Sequence, residues 1–94
     1  MTHASTAPLA DIIADRLTAA LAPSHCVVTN DSASHAGHMG DDGSGESHFS
    51  VVVESAAFAG LNRVARQRLV NTALADLLRD RIHALAIRAT APGE

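Results

Sequence analysis

Lysine and the large aromatics are missing from this sequence. All seven basic residues are arginine, there is no tryptophan or tyrosine, and there are only two phenylalanines. With 47% hydrophobic residues but 2% aromatic ones, alanine, valine, leucine and isoleucine must fill whatever core forms. A single cysteine, Cys26, excludes an internal disulfide and fits a reducing, cytoplasmic setting. No apolar run approaches the roughly eighteen residues of a membrane-spanning helix. Met1 to Thr6 carries neither a basic region nor an apolar stretch, so no signal peptide is expected. The chain of 94 residues suffices for one small domain and is too short for two cores.

Charge is distributed unevenly within a net −3. Residues 1–54 hold one arginine against seven acids, whereas residues 55–94 hold six arginines against three. A weakly basic half joined to an acidic one implies a polarised surface, not a general nucleic-acid clamp.

Read in order, residues 1–6 form a flexible start. Ser5 or Thr6 can cap a helix with Pro8 in its first turn. Leu9, Ile12, Ile13, Leu17, Ala20 and Leu21 make a helical stripe, which Pro23 ends. His25 to Asn30 reads as a strand centred on Val27 and Val28, with Cys26 as a small core filler. Asp31 to Ser47 is a long Ser-, Gly-, Asp- and His-rich connection without apolar periodicity, the kind of loop that is usually functional or mobile. His48 to Glu54 alternates as a second strand, and Phe58 follows as a core anchor.

Arg63 to Ala89 organises the rest. Leu69, Ala73 and Leu77 recur at the helical period, with Val70, Leu74 and Leu78 on adjoining rows and no Gly or Pro from Leu61 to Arg81. One uninterrupted helix is predicted there, with its Leu69–Ala73–Leu77 face buried. Residues 82–89 form the third strand, whose two apolar faces imply a central or covered position. The domain spans residues 7–92, followed by a short tail at 93–94. The fold class is α+β: helices on one face of a three-stranded sheet, the third strand lying between or beside the other two.

Several histidines carry chemistry. On the residues alone, His83 reads as a half-buried strand histidine held by a hydrogen bond. His35 and His38 stand three apart in the Gly-rich connection with Asp41 and Asp42 close by; histidines with carboxylates suit zinc, nickel, copper or iron, and the alternative is a polar loop whose histidines bind nothing in the free protein. His25 and His48 read as polar strand ends. Gly37-His38-Met39-Gly40 matches the GxxG of KH domains, but it lies between strands instead of between helices. No nucleophile–base pair, oxyanion hole or phosphate loop stands out, so no enzymatic activity is expected.

Taken together, His48-Phe49, Val51-Val52-Val53, Phe58-Ala59-Gly60, Arg66-Gln67-Arg68-Leu69-Val70 and Ile82-His83-Ala84-Leu85-Ala86-Ile87 resemble the BolA family over roughly Leu9 to Pro92. The resemblance implies a KH-like fold of the second class with order αββααβ, and a short extra helical element near Phe58 to Asn62. It also implies a monothiol glutaredoxin as partner and a [2Fe–2S] cluster shared with it and with glutathione. His83 would be one ligand and a loop histidine, His35 or else His38, the second. A partner that supplies thiolates suits cluster chemistry, since histidine replaces cysteine on one iron in Rieske-type centres. No cluster is expected in the isolated chain. The other role the family suggests is KH-like transcriptional regulation, with weak DNA binding through Arg63, Arg66 and Arg68 at a helix start.

Overall fold

The structure, a computed structural model, describes residues 8–31 and 47–94. Ser5, Thr6, His35, His38 and the GxxG segment lie outside the described residues. Helix α1 (Leu9–Leu21) follows Pro8 directly. Its buried positions Leu9, Ile13, Leu17 and Leu21 are spaced by four, one continuous stripe. The helix closes at Ala22, which takes a left-handed conformation (φ 45°) and donates its amide to Thr18 O, ahead of Pro23.

Strands β1 (His25–Asn30) and β2 (His48–Glu54) occupy the residues that the alternation predicts. They pair antiparallel, and β3 (Ala84–Thr90) joins the other side of β2 in parallel, giving the order β1-β2-β3. The register puts Cys26, Val53 and Ala89 on one face, with Val28, Val51 and Ile87 beside them. Phe49 and Leu85 extend that face, which packs on the helices. The opposite face carries Val27 next to Val52, 45% and 40% exposed, and Arg88 next to Val52. Thus β3 is an edge strand with one open face, not the covered strand that its apolar residues suggest. Alanine dominates that open face at Ala84 and Ala86, so an apolar letter there marks smallness and not burial.

Ser55 joins the two halves of the fold. It is 1% exposed; its hydroxyl donates to Leu21 O at the end of α1 and accepts from Ala57 N at a 3-10 turn (Ala56–Phe58). Phe58, fully buried, is the core anchor expected of it. Gly60 then takes φ 77°, a backbone that glycine adopts without strain, and Asn62 caps the next helix by accepting from Ala65 N.

The predicted single helix is two: α2 (Arg63–Ala73) and α3 (Ala75–Asp80), broken at Leu74. Leu74 has φ −112° and ψ 15°, and its amide is shared between Val70 O and Asn71 O. Neither Gly nor Pro causes the break; Leu74 is fully buried, and the chain turns around it. The buried positions are Val70, Leu74 and Leu77. Of the expected face, Leu77 is buried and Ala73 packs against the core, but Leu69 is 36% exposed, and Val70 and Leu74 on the adjoining rows are buried in its stead. Across the helix layer, Arg16 of α1 pairs with Asp76 of α3 through two contacts of 2.6 and 3.0 Å.

Candidate functional site

Two chemically distinct regions lie at opposite ends of β3. At its start the chain leaves α3 through a tight turn in which Leu77 O accepts from both Arg81 N and Ile82 N. Ile82, 5% exposed, is drawn into the core. His83 is thereby left in the bend before the strand, exposed to solvent, and not inside the strand as its neighbours suggest. Its amide donates to Ser47 O at 2.8 Å, and the Ala84 amide reaches the same carbonyl at 3.2 Å. Parallel pairing is the reason: His48 is the register partner of Ala84, so the residue before β3 meets the residue before β2. His83 therefore sits where the 31–47 connection ends.

His48 is the residue that sequence reasoning undervalued. It is only 7% exposed, its Nδ1 lies 2.9 Å from Ser47 Oγ, and its ring is 5.2 Å from that of His83, centroid to centroid, at a tilt of 55°. The signal was available in the two histidine-bearing motifs, His48-Phe49 and Ile82-His83. Only the parallel register brings them together. At the other end of the connection, the Ser50 hydroxyl donates to Asp31.

Cys26 belongs elsewhere. It is half-buried on the helix-facing side of β1, and burial pushes its thiol pKa up, away from the thiolate that metals bind. Among the described residues no three His, Cys, Asp or Glu side chains come together as a metal cage.

A group of arginines lies toward the far end of β3, whereas Arg81 stands at its start. Arg63, Arg66, Gln67, Ile87, Arg88 and Ala89 line an open groove of about 430 Å³ between α2 and the strand. Arg88 is five residues beyond His83, about 17 Å along a strand at 3.3 Å per residue. Arg66 is committed within the fold. Its guanidinium donates to Leu61 O, to Ala89 O and, through two 2.6 Å contacts, to the Glu94 carboxylate. Arg66 and the Ala91 amide together hold the Glu94 carboxyl at about 2, well below its usual range. The tail at 93–94 is thus fastened to α2 and β3. Arg63 and Arg68 are exposed at the start and on the outer side of α2.

With this geometry the chain was compared with known proteins. The sequence model of BolA, the BolA-like proteins, matches residues 17–94. A protein encoded in the cobS 5' region of Sinorhizobium sp. is 46% identical over 92% of this chain and 94% of its own length. The DNA-binding transcriptional regulator BolA of Vibrio cholerae is 48% identical over 82% of this chain and 69% of its own. Among solved structures, the BolA domain of SufE1 from Arabidopsis thaliana superposes with a TM-score of 0.82 at 36% identity, covering 92% of this chain and 94% of that one. The family model over residues 17–94, the sequence identities and the superposition lead to one family: this chain belongs to the BolA-like proteins.

Proposed function

We propose that this protein is a binding partner of a monothiol glutaredoxin and shares a [2Fe–2S] cluster with it, in cluster assembly, delivery or iron and redox sensing. The observation that carries the reading is His83: an exposed imidazole, fixed through its amide to the end of the 31–47 connection. The donor chemistry fits. The described part of the chain offers imidazole nitrogens at this site, while its one cysteine faces the helices with a raised pKa. A cluster held here needs thiolates from outside the chain, and a glutaredoxin cysteine and glutathione supply two. His83 would furnish one nitrogen and His35, or else His38, a second. The role requires binding, with no catalytic step.

The test is to mix the chain with a monothiol glutaredoxin, iron, sulfide and glutathione and to record visible absorption and circular dichroism. The heterodimer is expected to acquire cluster bands that the isolated chain lacks. A mixture without such bands would end this reading.

The name of the Vibrio relative favours a second reading, DNA-binding regulation. Arg63 and Arg68 are the cations of α2 available for it, since Arg66 is occupied by Glu94. Two phosphate contacts give a log–log salt slope of about −2, at roughly −0.9 per contact. Tight, sequence-selective binding by the isolated chain at physiological salt would make this the better reading.

A further inference from the structure

His83 is exposed, and an exposed imidazole at a bend has rotamers to choose from. Ligation requires one of them, and ordering it on binding costs affinity. Its backbone is already fixed, because Ser47 O accepts from both His83 N and Ala84 N. Its ring has a neighbour as well. His48, from the first residue of β2, lies 5.2 Å away in a tilted ring contact. His48 is itself 7% exposed and hydrogen-bonded to Ser47 Oγ at 2.9 Å, and Ser47 is fully buried. Two successive residues thus grip His83, one at the main chain and one at the ring.

From this geometry we infer that His48 is a positioning residue: its buried ring holds the His83 imidazole in the orientation in which it meets an incoming metal centre. The inference rests on the reading of His83 as a cluster ligand. Its burial distinguishes His48 from a ligand, because a group at 7% exposure does not reach a partner's cluster without leaving its place. Ring packing is the operative contact, so an aromatic ring without nitrogens should do the same work.

The experiment uses His48→Ala and His48→Phe in the full chain, each checked for folding by its amide NMR spectrum. In the free protein, side-chain couplings of His83 should report one rotamer in the parent chain, averaging in His48→Ala, and one rotamer again in His48→Phe. In the heterodimer with glutaredoxin and glutathione, the circular dichroism of the cluster should shift in His48→Ala and return in His48→Phe. If His83 keeps its rotamer and ring shifts in His48→Ala, the inference is wrong. If His48→Phe loses the cluster while its His83 stays ordered, His48 contributes a nitrogen and the positioning role is equally wrong. A parent heterodimer without cluster bands would sink the proposed function instead, leaving the couplings of the free chain to decide the positioning role.

Discussion

At the scale of single residues, burial separates the nitrogen and sulfur groups into different tasks. His83 is outside, His48 is inside against it, and Cys26 faces the helices. Replacing His83 by alanine should abolish the cluster bands of the heterodimer, because one iron loses a ligand; unchanged bands and lifetime would remove His83 from the ligand set. Cys26→Ala should leave those bands as they are. Iodoacetamide should alkylate Cys26 more slowly at neutral pH than it alkylates a free thiol, since burial raises the pKa of this group and lowers its thiolate fraction. The roles of Arg63, Arg66 and Arg68 divide in the same way. They were grouped by sequence as one contact patch, yet Arg66 is bound to Leu61 O, Ala89 O and Glu94. That partner is 28 residues away, and a distant partner leaves no trace in local spacing.

At the scale of elements, the sequence carried α1, β1, β2 and the helical region after Gly60, because each has a local pattern of period 3.6 or 2. Helix rows one residue apart are only about 100° apart, however, so which row of α2 and α3 is buried depends on how they dock. The break at Leu74 has no Gly or Pro to announce it, and it selects Val70, Leu74 and Leu77 over Leu69. Leu74→Ala should therefore cost about 2–5 kcal/mol by removing a fully buried side chain, whereas Leu69→Ala should stay within about 0.5 kcal/mol. Urea unfolding of the two variants checks this, and equal losses would contradict the docking described. The edge position of β3 was illegible for a related reason: strand order is a property of three segments together. The site was half legible, since motif composition singled out His83 while its contact with His48 required the register.

At the scale of the molecule, ion pairs among the described residues tie distant segments, Arg16–Asp76 between α1 and α3 and Arg66–Glu94 between α2 and the tail. Arg16 draws the Asp76 pKa from 3.8 to about 2, and Arg66 with the Ala91 amide draws that of Glu94 from 4.5 to about 2. Both folded-state values are depressed, so the unfolded chain takes up these protons first on acidification. The stabilisation is complete above the unfolded values and is lost between about pH 4.5 and 2. Tm should fall across that interval, and the fall should be shallower in Asp76→Asn and Glu94→Gln and in high salt. A Tm profile that these two substitutions leave unaltered would show that the pairs carry no pH dependence.

The central position of β2 also governs how the chain finds its fold. Both sheet contacts are made to this one strand, but by routes of unlike length. The antiparallel route closes over residues 31–47, and the parallel one joins partners that always differ by 36 in number. Such closures are entropically slow steps, and the parallel one cannot be shortened without deleting a helix. Cutting the 31–47 connection to about four residues, with Asp31 and Ser47 kept, spares roughly 1.2 kcal/mol of closure entropy, two halvings at about 0.6 each. That gain speeds refolding by up to roughly eightfold when β1 docks in the rate-limiting step, and appears only in slower unfolding when β3 docks there first. Stopped-flow refolding of the shortened chain thus reads out which edge of the sheet is laid down before the other.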